Sequence, residues 1–305
     1  MTRTVLPALA LSLLSLGIAH SAAAAAGAGP AELRAVTFNV LVHWEIKPGV
    51  PPWPERKDLC ARVLQETDAD VIALQECSEQ QTGFFEHALP EYAVHGKIPL
   101  SEQDMAFFNE HIPMVAAIGA TTFTDALLFY RKDRFELLES GHWWLSPTPE
   151  RASWGFGNTF PRIAVWTKLK HISTGREIVV VGTHFDNTLP SQVHMAKLCR
   201  QKTQPWVEAG LPVLLMGDFN TDQERGDYAT LTGGGWKDSY TASPKASENG
   251  RDDNVVTHVR GKRIDHILYH GAVLDAFEWV RLESPDPDKK LSDHFPVFAR
   301  FTIPK

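Results

Sequence analysis

Six short stretches of this chain place acids, amides and imidazoles at the ends of apolar runs. Thr37-Phe38-Asn39 closes one run, Leu74-Gln75-Glu76 a second, and Thr183-His184-Phe185-Asp186-Asn187 a third. Met216-Gly217-Asp218-Phe219-Asn220 follows a fourth. Arg263-Ile264-Asp265-His266 opens a fifth, and Leu291-Ser292-Asp293-His294-Phe295-Pro296 precedes the last. One strand-terminal Asp or Asn is ordinarily a turn former or a cap. Six in one chain point to convergence. If those ends meet, Glu76, Asp186, Asp218, Asp265 and Asp293 share a pocket. Two carboxylates ~4 Å apart repel by roughly 4 kcal/mol at an effective dielectric near 20. Several such pairs would threaten a fold stable by only about 5–15 kcal/mol. A divalent cation, protonation or hydrogen bonding must relieve the charge, and oxygen ligands favour a hard ion, Mg2+ or Mn2+.

Competing motifs fit worse. Asp218-Phe219-Asn220-Thr221-Asp222 opens like a calcium loop, but its sixth position is Gln223 where Gly is needed, and its twelfth is Ala229 where Glu is needed. The chain has no HExxH zinc helix, no GxSxG nucleophile elbow and no Gly-rich phosphate loop before a Lys-Ser or Lys-Thr pair.

The elements that must position these residues are mostly strands. The apolar runs predict strands at Arg34–Val40, Val71–Gln75, Ala126–Tyr130, Glu136–Trp144, Ile163–Lys170, Ile178–His184, Val213–Gly217, Ile264–Tyr269 and Val297–Thr302. Val71-Ile72-Ala73-Leu74 and Ile178-Val179-Val180-Val181 are apolar on both faces, so layered sheets with helices outside are expected. Helices are predicted at Trp53–Thr67, where Pro54 suits a first turn, and around Pro190–Gln201. Two irregular stretches, Gly96–Thr124 and Ser146–Pro161, are placed to border a substrate cleft. Strand alternation turns His266 and Cys77 away from the site, and puts Trp143 and Trp144 on opposite faces as core residues. Thr257-His258 either lines the cleft or forms an ordinary loop, and the loop is the preferred reading.

The ordered set TFN, LQE, THFDN, GDFN, RIDH and SDHFPV resembles the endonuclease/exonuclease/phosphatase superfamily. Each motif is short, but all six occur in order between about Arg34 and Phe301. Leu127-Leu128-Phe129-Tyr130-Arg131, Trp144-Leu145-Ser146-Pro147-Thr148-Pro149 and Phe160-Pro161-Arg162-Ile163-Ala164 look most like an exported bacterial branch. The fold this resemblance implies is an α+β (α/β) sandwich of four layers, deoxyribonuclease I-like, with two central, mostly antiparallel β-sheets flanked by helices.

Carried over residue by residue, the resemblance implies a metal-dependent phosphohydrolase. Glu76 would be the principal metal ligand, Asn39 a ligand or positioner, and Asp293 part of the metal site. Asp218 would orient or deprotonate the attacking water, and Asn220 would hold that water and the phosphate. His294 would pair with Asp265, as base or as phosphate-binding cation. His184 would donate to a phosphate oxygen. Arg162 is the candidate phosphate clamp, because a guanidinium matches phosphate oxygens bidentately. Asp186 and Asn187 either line the substrate or form a turn. The branch would carry an Arg soon after Asp186-Asn187, where this chain has Thr188-Leu189-Pro190-Ser191-Gln192-Val193-His194, and the 96–124 stretch is longer than usual. Both departures touch the cleft walls and leave the substrate open.

Composition narrows the reading. The formal charge is −7, which argues against a protein that grips long duplexes through many phosphates. Small or single-stranded phosphodiesters are the first expectation: nucleic acid, nucleotide or phospholipid head group. A phosphomonoesterase or sphingomyelinase-like hydrolase is the alternative, and a non-catalytic binding protein on the same scaffold the remaining one. Met1-Thr2-Arg3, the apolar Val5–Ala19 and the small residues of Ser21–Gly29 predict a signal peptide over 1–26. Residues 31–305 then form a single domain, periplasmic or extracellular, with no stable membrane insertion once the signal is removed. Cys60, Cys77 and Cys199 would allow one disulfide in three possible pairings. The oligomeric state is open.

Overall fold

The computed structural model describes residues 31–303 apart from 113, 114, 116, 118, 247–254, 272 and 273. The expected signal peptide lies outside the described residues. In chain order the elements are β1 (Ala31–Asn39), α1 (Trp53–Thr67), β2 (Val71–Gln75), α2 (Glu79–Ala88), β3 (Tyr92–His95), β4 (Ile98–Pro99) and α3 (Glu102–His111). Next come β5 (Thr122–Phe123), β6 (Ala126–Arg131), β7 (Phe135–Trp144), β8 (Ile163–His171), β9 (Glu177–His184), α4 (Leu189–Glu208) and β10 (Val213–Asp218). The chain ends with α5 (Gly226–Thr232), β11 (Lys237–Asp238), α6 (Ser239–Ala242), β12 (Lys245–Ala246), β13 (Asp265–His270), β14 (Asp275–Arg281) and β15 (Val297–Ile303).

Two sheets form the centre. One has the order β12-β14-β15-β1-β2-β6-β3, and the other β11-β13-β10-β9-β8-β7. Each is built around a parallel pair, β1–β2 or β9–β10, with antiparallel strands on both sides. A parallel pair needs a crossover, and α1 and α4 supply them. Period-two alternation then sorts each strand's apolar side chains. In β2, Val71 and Ala73 face the inter-sheet core with Val180 and Met216, while Ile72 and Leu74 face Cys60, Val63 and Leu64 of α1. In β9, Val180 faces inward and Val179 and Val181 face Met195, Ala196 and Cys199 of α4. The result is the four-layer sandwich. All three cysteines are buried and free, so no disulfide forms.

Two close approaches fix the layers. A Cβ on Gly182 would stand 3.0 Å from Leu128 of the facing sheet. One on Gly217 would stand 1.9 Å from the Thr183 carbonyl oxygen, so only glycine fits where β10 runs against β9. Arg56 of α1, 1% exposed, donates to the carbonyls of Leu41 at 2.7 Å and Leu291 at 2.8 Å. It thereby ties the turn after Asn39 to the turn before Asp293.

Several elements differ from the sequence expectation. The second long helix continues beyond Gln201 to Glu208, with Pro205 inside its last turn. Helix α2 was not expected, although Ser78 and Gln81 form a complete capping box at its start. Strands β3 and β14 were not expected either. The 96–124 stretch holds β4, α3 and β5, whose Phe108 and Phe123 belong to the inter-sheet core.

A buried charge pair anchors β13. Asp238 Oδ2 accepts from Arg263 Nη1 at 2.7 Å and from Tyr228 Oη at 2.8 Å. His266, as expected on the face away from the site, donates from Nε2 to the Thr221 carbonyl at 2.8 Å. Burial alone would raise the Asp238 pKa, but the Arg263 charge and the His266 and Arg263 hydrogen bonds hold it well below the usual carboxylate range. A depressed folded pKa contributes stability above the unfolded pKa of about 3.9 and loses it as pH falls toward the folded value. Asp238→Asn leaves Arg263 buried and uncompensated, so urea melts at pH 7 should show a loss of about 3–5 kcal/mol. The gap between the two proteins should narrow as pH falls below about 4. A constant gap across that range would rule out the charge pair as its source.

Candidate active site

Strand register gathers the chemistry at one edge. At the carboxyl end of β10, Asp218 pairs with His184 of β9 and with Asp265 of β13. At the matching end of the other sheet, Asn39 pairs with Gln75, and Glu76 follows. β1 packs against β10 across the core, which brings Asn39 to Asp218. Glu76 and Asn220 adopt left-handed backbone, at φ 53° and 51°. Such strain costs about 1–3 kcal/mol per residue and persists only where the surroundings impose it. Here Glu76 N–H donates to the Asp125 carbonyl at 3.2 Å, and Asn220 Nδ2 donates to the Phe185 carbonyl at 2.9 Å.

Asp218 is the hub. Its Oδ1 accepts from Asn220 N at 2.8 Å, and its Oδ2 accepts from Asn39 Nδ2 at 3.0 Å. The same Oδ2 lies 3.5 Å from His184 Nε2 and 3.6 Å from His294 Nε2. Asp265 is fully buried; both its oxygens accept from His294 Nδ1, at 3.1 and 2.9 Å. Burial would lower the His294 pKa, but the Asp265 and Asp218 charges and the Asp265 hydrogen bond push it up to about 10. Burial and the Asp218 charge raise Asp265 as well, so the pair holds its shared proton tightly. Burial opposes the ionised form of Asp293, yet His258 and His294 bring its pKa down to about 2.

A second cluster flanks the hub. Arg162 Nη1 donates to Asp125 Oδ2 at 3.0 Å and lies 2.8 Å from His184 Nδ1, which is itself 3.1 Å from Asp125 Oδ1. Burial works against the charge on Asp125, but His184 and Arg162 hold it far below the usual range. Among the described residues, the buried Arg162 Nε has no hydrogen-bond partner.

Asn39, Glu76, His184, Asp218, Asn220, Asp265 and His294 are thus drawn together by direct contacts, with Arg162 alongside. Behind the Glu45 hydrogen bond, the Asp293 and Glu76 charges both help raise the Lys47 pKa. Two expectations left open by the sequence meet the structure here. Asn39 was read as a metal ligand or a positioner; its Oδ1 accepts from Leu41 N at 3.1 Å and its Nδ2 donates to Glu76 at 3.0 Å and to Asp218, contacts that suit the positioner. Asp186 was a substrate candidate, but it is fully buried and accepts from Thr159 N, Phe160 N and Thr188 N. It holds two loops together, which is the turn reading. Asn187 beside it is exposed.

Two residues were missed. Asp125 stands just before β6, and β6 runs antiparallel to β2, so its first residues share the site edge. The rule that selected Asp265 at the start of β13 selects Asp125 as well. His258, assigned to an ordinary loop, has its ring edge-on to His294 at 4.6 Å and its Nε2 3.7 Å from Asp293 Oδ2. No local pattern in the sequence marks it.

Carboxylate oxygens of Asp218 and Asp265 lie within 4.8 Å of each other and of a His294 ring nitrogen, and Asp293 lies as close to His258 and His294. Hard oxygen donors of this kind suit a divalent cation. Among the described residues no helix is long and apolar enough to cross a membrane.

Comparison with known proteins agrees with this geometry. Residues 36–294 match the Endonuclease/Exonuclease/phosphatase family. A structure from that family in Bacteroides thetaiotaomicron is 26% identical, covers 91% of this chain and 100% of its own, and superimposes with a TM-score of 0.71. A mannosyl-6-phosphatase from the same organism is 26% identical, covers 89% of this chain and 100% of its own, and gives a TM-score of 0.69. An uncharacterized mimivirus protein, L388, is 22% identical over 269 residues, or 82% of this chain and 92% of the viral protein. With the family match spanning nearly the whole sandwich, the chain belongs to the endonuclease/exonuclease/phosphatase family.

Proposed function

We propose that the protein is a metal-dependent phosphoester hydrolase, and that it first serves small or single-stranded phosphodiesters. The observation that carries this reading is the convergence on Asp218 of Asn39, Asn220, His184 and the His294–Asp265 pair. A phosphate ester is an anion that repels a nucleophile, so a site for its hydrolysis must combine positive donors with a base. Asp218 is the base that takes the proton of the attacking water, and Asn220 holds that water. His184 and Arg162 donate to the non-bridging oxygens, where charge collects in the transition state. His294, held by Asp265 through Nδ1, offers Nε2 beside the same phosphate. Glu76 and Asp293 would hold Mg2+, or Mn2+ in its place; when bound, the ion neutralises the phosphate and polarises the scissile bond. The net charge of −7 supports small substrates over long duplexes. The leader-like residues 1–26 support placing the reaction outside the cytoplasm.

A second reading is a phosphomonoesterase acting on a sugar phosphate. It is favoured by the similarity to the mannosyl-6-phosphatase, 26% identical over 89% of this chain. Turnover of bis-p-nitrophenyl phosphate and short single-stranded DNA, compared with p-nitrophenyl phosphate and mannose 6-phosphate, separates the two. The diester reading expects the first pair to be faster, and the reverse order would replace it with the second reading.

EDTA should abolish turnover and excess Mg2+ or Mn2+ should restore it; activity indifferent to chelation would exclude the metal reading. Glu76→Ala and His294→Ala should each lower kcat/KM by about 100-fold or more, with circular dichroism reporting a folded chain. A folded variant that keeps wild-type kcat/KM would remove that residue from the machinery.

A further inference from the structure

Thr257, His258 and Val259 stitch together the two loops that carry the last acids. Phe295 N–H donates to the Thr257 carbonyl at 2.7 Å, and Val259 N–H donates to the Asp293 carbonyl at 2.9 Å. Thr257 Oγ1 accepts from the backbone N–H groups of Ile264 at 3.0 Å and Asp265 at 3.1 Å. His258 sits inside this stitch, 8% exposed. Its Nδ1 accepts the Arg260 N–H at 3.2 Å. A neutral imidazole carries its proton on one nitrogen only, so the proton is on Nε2, the atom that faces Asp293 Oδ2 at 3.7 Å. The other Asp293 oxygen, Oδ1, accepts from Ser292 Oγ at 3.3 Å.

His258, Asp293 and His294 bring potential ligand atoms within 4.8 Å of one another, which on spacing alone would make a second cation site. The tautomer argues against it. A nitrogen that carries a proton has no in-plane lone pair to give a metal, and the Arg260 amide occupies the lone pair of Nδ1. We infer that His258 is a positioning residue, whose Nε2–H orients the Asp293 carboxylate for the cation without ligating that cation. The separation of 3.7 Å is longer than a hydrogen bond, so the contact is directional electrostatics that a small rotation of the carboxylate would close. The inference rests on Asp293 being a metal residue.

The test is Mn2+ binding to the full chain, by electron paramagnetic resonance and calorimetry, beside Mg2+ activation kinetics. His258→Phe keeps a ring against His294 and removes the donor. His258→Gln returns an N–H near the Nε2 position. Removing such an outer partner weakens metal affinity by about 10–100-fold. The Phe variant should therefore bind Mn2+ that much more weakly, and its half-activating Mg2+ should rise by the same factor. Its kcat at saturating Mg2+ should stay within about threefold of wild type, and Gln should recover most of the loss. Should Phe fail to fold, His258→Asn, whose amide reaches the Nδ1 position only, takes its place. Wild-type Mn2+ affinity in the donor-less variant overturns the inference, as does a folded Gln variant no better than Phe. Loss of one bound Mn2+ equivalent in Phe would make His258 a ligand and overturn it too. Failure of the wild type to bind Mn2+ at all would bring down the metal reading first, and the inference with it.

Discussion

The rest of the site depends on one constraint: carboxylates crowd into a space from which water is largely excluded. Asp218, Asp265 and Asp293 are each less than one-tenth exposed. Like charges at such separations, in a low dielectric, do not persist without compensation. The chain meets this acid by acid. Asp265 takes His294, Asp125 takes Arg162 and His184, Asp293 takes His258, and Asp218 is shared among Asn39, Asn220 and the two imidazoles. The reactive set and the stabilising set are therefore largely the same residues. Among the described residues, the Glu76 side chain receives one hydrogen bond, from Asn39.

That pairing has to be delivered by the fold, and the two-sheet design delivers it from symmetry. Each sheet has a central parallel pair, and the carboxyl ends of both these pairs emerge at one edge. Antiparallel neighbours bring their amino ends to that edge too, which is how Asp125 and Asp265 join residues far away in sequence. Register leaves little slack, because a slip of one residue turns every side chain to the opposite face. Gly217, with no room for a Cβ against Thr183, locks the β9–β10 register at the position just before Asp218.

How much of this could be read from the sequence follows from the same geometry. Strands with two apolar faces are legible because burial on both sides leaves a continuous run, and β2 was delimited to the residue. β14 was not, because it carries Glu278 and Arg281 among partly exposed positions and packs through Ala276 and Trp279. Helix α2 was missed despite a capping box, since only Gln81, Thr82 and Phe85 of its residues are buried. Asp218, Asp265 and His294 were legible because each sits at the end of a recognisable run. His258 was not, because its place depends on backbone bonds between two loops. The roles of Asn39 and Asp186 were undecidable from type alone: an amide or a carboxylate at a strand end becomes ligand, clamp or turn holder according to which neighbours reach it first.

The two stretches expected to border a cleft carry a different kind of information. Helix α3 and strand β5 of the 96–124 stretch are packed into the core. Phe108 is buried and stacks on Phe123 at 5.5 Å and 24°, and Phe123 stacks on Phe160 at 6.1 Å and 20°. The Arg162 guanidinium lies over the Phe160 ring at 5.6 Å. Asp104 of α3 adds a tie from the other side, accepting the Ala152 N–H at 3.0 Å. Close-packed aromatic contacts transmit a change of size rather than absorb it. A substitution in this stretch would therefore reach Arg162 through packed rings, and Arg162 passes it on to Asp125 and His184, which it contacts directly. The wall is coupled to the site at that guanidinium, whereas the Asp265–His294 pair is held by its own hydrogen bonds.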